Sequence, residues 1–144
     1  MTDPTNQIPA HEQFGYEVVE RALKGAPMAE WENDFARLFW QSLEVHNGGF
    51  EQWIGNTGKE GIFETLAALE RHSLHTVHQI TNEATEVVRL TDWDEQDGFF
   101  SYLEKRIRNW PERLRPLDQR YWDEADGLDA VLQMLYRRNT EPKD

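Results

Sequence analysis

Three histidines, His72, His75 and His78, recur at every third position. On a continuous helix each neighbouring pair could share a metal ion, although the three spread over about 120° of the helix surface. A helix break at His72 dissolves the set, so a solvated or half-buried histidine face is the simpler reading and no metal is expected. Asp92, Asp94, Asp97 and Gly98 invite calcium. Counted from Asp92, however, the place of the turn glycine in a calcium loop is held by Asp97, and that of the bidentate glutamate by Leu103. The register fails, and an acidic loop that caps the following helix is expected instead. The chain has no cysteine, which excludes disulfides and thiolate zinc sites. It has no Gly-x-Ser-x-Gly, no phosphate-cradling loop and no His-Glu-x-x-His. No enzyme activity and no cofactor are expected. Lys105, Arg106, Arg108, Arg113, Arg115 and Arg120, with Trp110 among them, could hold nucleic acid, but the stretch is short and the rest of the chain opposes it. These bases are better suited to neutralising acids on neighbouring helices or on a second subunit.

The elements that position these residues are all helical. Phe14, Val18 and Ala22 predict a helix from about His11 to Lys24, closed by Gly25. Trp31, Phe35, Leu38, Phe39 and Ser42, widened by Trp40 and Leu43, predict a central helix from Met28 to His46. It meets a corner at Asn47-Gly48-Gly49, residue types that tolerate the left-handed backbone. Phe50, Trp53 and Ile54 then form a short apolar turn, and Gln52 and Asn56 are expected to bond backbone groups at the corner. Helical phase runs from Ile62 to Leu90, with a break expected near His72-Ser73 and Ser73 as N-cap. Phe99 or Phe100, Leu103, Ile107 and Trp110 form the next stripe, interrupted by Pro111 and Pro116. Leu114, Leu117 and Tyr121 mark a short helix. Leu128, Val131, Leu132, Leu135 and Tyr136 mark the last. No segment alternates like a strand. The expected class is all-α: a single-domain bundle of six to eight helices over residues 11–139, with a loose arm at 1–10 and a polar tail at 140–144.

The 144 residues carry a formal net charge of −12, unevenly spread. Residues 1–104 hold 19 acids against 6 bases, whereas residues 105–120 hold 2 against 6. Such a chain repels nucleic acid and anionic membranes and attracts basic surfaces. No apolar run approaches the ~20 residues of a membrane helix. No signal peptide is visible, and a cytoplasmic location is expected. The candidate partner-binding acids are Glu17, Glu20, Glu30, Glu32 and Asp34 on the first helices, Asp92, Asp94, Glu95 and Asp97 in the acidic loop, and Asp123, Glu124, Asp126 and Asp129 near the end. Their expected partner is a basic protein, in the sharpest form a DNA-binding protein. The alternative is an accessory domain that binds a small ligand or peptide in a groove near Trp31, Phe50 and Trp53. The aromatic content leaves room for a homodimer.

Two stretches carry a resemblance. Glu44-Val45-His46-Asn47-Gly48-Gly49-Phe50-Glu51-Gln52-Trp53, followed by Asn56, resembles the signature of a bacterial family of small acidic helical proteins. That family is catalogued as a domain of unknown function and named for a DNA-mimic protein. Leu114-Arg115-Pro116-Leu117-Asp118-Gln119-Arg120-Tyr121, followed by Leu128, Leu132, Leu135 and Tyr136, looks like the family's Leu-Asp-x-x-Tyr element and closing helix. The chain departs from the pattern at Ile54, where an aromatic is usual, and at Arg71-His72-Ser73, in place of an Ile-Gly-Ala break. The resemblance implies an all-helical, cytoplasmic bacterial protein, and it implies DNA mimicry. The structural residues it singles out are Glu44, Asn47, Gly48, Gly49, Phe50, Gln52, Trp53 and Asn56.

Overall fold

A computed structural model describes residues 7–142. Six helices follow in order: α1 (Ala10–Leu23), α2 (Glu30–Arg71), α3 (His75–Val87), α4 (Phe99–Arg106), α5 (Trp110–Asp123) and α6 (Ala125–Thr140), with a 3-10 turn at Leu90–Asp92. Among the described residues there is no strand, and no helix is long and apolar enough to cross a membrane. The all-α expectation holds. The loose arm falls largely on residues 1–6, outside the described part, and α6 reaches one residue into the expected tail.

The axis of the molecule is α2, which touches every other helix. Its 42 residues are not one straight rod: the backbone leaves helical geometry at Gly48, Gly49 and Gly58, giving segments 30–47, 50–57 and 59–71. Phe35, Leu38, Val45, Phe50, Trp53, Ile54, Ile62 and Leu69 from this one helix are fully buried. A helix apolar on several sides must be covered on several sides, and α1, α3, α5 and α6 do the covering. Gly15 of α1 sits where a Cβ would lie 2.0 Å from the Phe39 ring, so α1 crosses α2 at backbone-to-ring distance. Val77, Ile80 and Ala84 of α3, and Leu128, Leu132 and Leu135 of α6, are the buried stripes that the periodicity predicts.

The helix ends show local chemistry at work. Gly25 (φ 69°) closes α1, with Ala26 N–H on Arg21 C=O at 3.0 Å and Gly25 N–H on Ala22 C=O at 3.1 Å, a Schellman closure. The same pair of bonds ends α2: Leu74 N–H reaches Leu69 C=O at 2.9 Å and Ser73 N–H reaches Glu70 C=O at 3.1 Å. Ser73 therefore occupies the left-handed closing position (φ 57°) and does not cap α3. The break was expected at this place; its mechanism is termination of the preceding helix. Pro111 stands at the start of α5, where a missing N–H costs nothing. Pro116 lies inside the helix, so α5 runs through the expected interruption and gives up one backbone bond.

Candidate functional site

The corner is built from both stretches that carried the resemblance. Gly49 adopts φ 76°, ψ −174°, a conformation essentially reserved for glycine. The turn frees the Phe50 N–H, which donates to Asp118 Oδ1 of α5 at 2.8 Å. It also frees the Val45 carbonyl, which accepts the Trp122 indole N–H at 3.2 Å. The Phe50 ring meets Tyr121 edge-on, with centroids 5.6 Å apart. Three residues of α5 thus satisfy both sides of the break and pack on its anchor. On the other face of α2, Glu44 Oε2 accepts the Gln52 amide at 2.8 Å and the Asn56 amide at 3.0 Å. Gln52 and Asn56 were expected on backbone groups; both instead bond the side chain of Glu44, which is buried. Asn47 is exposed and still helical, so the break starts one residue later than expected.

Electrostatics at the corner are tight. Burial pushes the Asp118 carboxyl above its ordinary value, against the pull of the Phe50 N–H and Arg115. Burial, and then the nearby Asp118 charge, push Glu51 up as well. Asp34 shows the opposite balance. Burial would raise it, but Arg71 (2.6 Å) and His72 (2.9 Å) hold it down. The raising effect is the largest single one, and the two partners together outweigh it.

The acids expected to form a partner surface divide into groups. Asp34 is not surface: it is 5% exposed, and its ion pairs tie the start of α2 to its end. Its i, i+4 register with Leu38 placed it on the buried stripe, a signal visible in the sequence. Glu32 is half-buried, accepts the Ala29 N–H and pairs with Arg21 at 2.8 Å; the Ala29 N–H and burial oppose each other, and the net shift of its carboxyl is downward. Glu20 pairs with Lys24, which lowers it. Asp92 pairs with Arg89 at 3.0 Å. Asp94 accepts the Gln96 N–H, and Asp123 the Gln119 amide. Asp129 accepts from the buried His11 at 2.8 Å, joining α6 to α1. Glu95 accepts the Lys59 N–H at 3.1 Å. The acidic loop therefore caps the last segment of α2, and Gly98 at the start of α4 has no side-chain cap. Glu17, Glu30, Asp97 and Asp126 are exposed, and Glu124 is half-exposed; no side-chain bond engages any of the five among the described residues.

Other candidates sort as follows. His72, His75 and His78 do not assemble: His72 lies on Asp34, and His78 is 4.0 Å from Glu70. The ligand atoms that do converge belong to His11, Glu12 and Asp129, within 4.8 Å of one another, a group already accounted for by the tie between α1 and α6. The expected aromatic groove is absent in its proposed form, because Phe50 and Trp53 are both 0% exposed. Trp31 stacks on Phe14 at 5.1 Å, on a different part of the molecule. A cleft of about 320 Å³ between the end of α1 and α2 is lined by Leu23, Met28, Arg37 and Trp40. Of the basic residues expected to neutralise neighbouring helices, Arg120 does so, on Glu83 at 2.7 Å; Lys105, Arg106, Arg108, Arg113 and Arg115 hold no ion pair among the described residues.

An all-helical domain of net charge −12, built on one twice-broken central helix, is the class that these features define. The family model described as DMP19-like protein matches residues 26–139. The chain belongs to that family, and both resembling stretches fall inside the matched span. No curated protein and no solved structure matches the chain.

Proposed function

We propose that this chain is an acidic protein-interaction domain that occupies the nucleic-acid-binding surface of a basic partner, its carboxylates standing where phosphates would. The observation that carries the proposal is the division among its acids. Asp34, Glu44, Glu95 and Asp118 are committed to holding α2 in shape, while Glu17, Glu30, Asp97 and Asp126 are exposed and make no side-chain bond among the described residues, on a chain of net charge −12. Glu30 and Asp126 also stand in the first turns of α2 and α6, and Glu30 acts on the Arg71 charge. Exposed carboxylates without internal partners gain little for the fold, and they steer and select a basic surface. Membership of the DMP19-like family supports the reading. The partner is expected to be a cytoplasmic DNA-binding protein, and the chain acts on it by occupancy and not by catalysis. The competing reading, a ligand in an aromatic groove, has lost Phe50 and Trp53 to the core; it keeps the cleft beside Trp40 and a cleft of about 570 Å³ lined by Trp31, Arg71 and Met134.

The test is capture at low salt from a lysate of the source cell, elution in a salt gradient, and repetition with excess duplex DNA. The expected result is a DNA-binding protein that salt releases and DNA displaces, since both ligands would compete for the same cationic surface. A captured protein that withstands both salt and DNA would contradict the proposal.

A further inference from the structure

Carboxylates hold many of the bases in this chain. Arg21, Lys24, Arg37, Arg71, Arg89 and Arg120 each sit against one. Among the described residues, the cations without an ion pair gather chiefly in one place, and of these Arg115 also acts on the Asp118 charge. Lys105, Arg106, Arg108, Arg113 and Arg115 are all exposed and span the joint between α4 and α5. Helix electrostatics explain only part of the set. Lys105 and Arg106 lie in the last turn of α4, where the helix dipole favours a cation. Arg113 lies in the first turn of α5, where the dipole opposes one, and Arg108 and Arg115 are at neither favourable end. Beside them Phe100 is 57% exposed. It meets Trp110 edge-on at 5.7 Å, and the Trp110 indole is fixed by Glu104 at 2.8 Å. The joint thus offers a cationic rim around a small aromatic platform.

We propose that the α4–α5 joint is a second interaction surface, opposite in sign to the acidic one, and that it binds a short acidic peptide segment carrying an apolar side chain. Four of its five cations are arginine, whose planar fork matches a carboxylate in two parallel bonds. The aromatic pair takes the apolar residue. The patch is small: its five cations fall within residues 105–115, from the last turn of α4 to the first half of α5. Duplex DNA is a long, dense polyanion, and a chain of net charge −12 repels whatever part of it extends beyond so small a patch. A short peptide ends within the patch. The proposal is independent of the acidic-face reading, because it uses different residues and a partner of opposite charge.

The experiment is fluorescence anisotropy with a labelled peptide of six glutamates around one tryptophan, against the same peptide with glutamine in place of glutamate. Arg108→Glu/Arg113→Glu is expected to weaken binding about tenfold or more. Arg137→Glu/Arg138→Glu on α6 should leave it unchanged, and Glu17→Lys should not reduce it. Arg108→Gln/Arg113→Gln, which adds no new charge, should give a smaller loss with an unchanged circular dichroism spectrum. Equal binding of the glutamine peptide, or survival of binding in both Arg108/Arg113 variants, would overturn the proposal. So would tighter binding of a duplex of matched length, or self-association that the glutamate reversal abolishes without peptide.

Discussion

The two breaks in α2 use the same chemistry in different surroundings. At each, a glycine with positive φ, Gly49 at 76° and Gly58 at 81°, ends one helical segment and starts another. At each, the first N–H of the new segment is met by a carboxylate from a remote element: Phe50 by Asp118 at 2.8 Å, and Lys59 by Glu95 at 3.1 Å. At Gly49 the cap rides on α5, and Tyr121 and Trp122 of the same helix close over the break. At Gly58 the cap rides on an exposed loop. A carboxylate cap on a packed helix cannot yield, whereas one on a loop can, so burial sets the weight of the bond more than its geometry does.

Substitutions at the two breaks should separate them. Gly49→Ala carries the largest expected effect. Its Cβ would lie 2.5 Å from Asp118 Oδ2, in a backbone conformation that costs ~1–3 kcal/mol on its own, and a total loss of ~3 kcal/mol or more in urea unfolding is expected. Asp118→Ala should cost ~1–3 kcal/mol, because the Phe50 N–H is left without a partner. Gly58→Ala meets Glu95 Oε2 at 2.8 Å, but that side chain is exposed and can swing away, so about 1–2 kcal/mol is expected. Glu95→Ala should cost ~0.5–1 kcal/mol, as exposed caps do. Equal losses at Gly49 and Gly58 would break the comparison.

Acidity sharpens it further. Asp118 has a raised carboxyl in the fold, so the folded state binds its proton more tightly than the unfolded chain does. Its contribution favours folding at low pH and diminishes as pH climbs from the ordinary 3.8 through the folded value. Asp118→Asn keeps a carbonyl acceptor for Phe50 and removes the charge. Its melting temperature relative to wild type should therefore rise with pH across that window. Asp34 has the reverse sign: its carboxyl is lowered, so its stabilisation is full above 3.8 and is lost as pH falls below it. Asp34→Asn should destabilise most at neutral pH. The smallest effect is expected at the end of α2. Ser73→Gly relieves a left-handed serine and should add ~0.5–1 kcal/mol.

Much of the fold was legible because apolar spacing is a local signal. The stripes of α1, α3 and α6, the central place of α2 and the Gly49 corner all follow from residue type and period. The carboxylate assignments were not, because each depends on an element far along the chain. Asp118 caps a residue 68 positions away, and Asp34 pairs across 37. Nothing local marks Asp118 as a cap or Glu95 as a partner of Lys59. Asp34 is the exception: its helical register with Leu38 told of burial, but its charge drew it into the surface set. Serine suits an N-cap by type, but at Ser73 the close of the preceding helix claims the position first.

The central claim is that the exposed, uncommitted acids serve a partner and the committed ones serve the fold. The most direct measurement compares wild type with the variant Glu17→Lys/Glu30→Lys/Asp97→Lys/Asp126→Lys, in thermal melting and in low-salt capture of the basic partner side by side. The expected result is a melting temperature lower by only a few degrees, about what a loss near 1 kcal/mol produces, together with loss of capture. Retained capture by a folded variant would contradict the account.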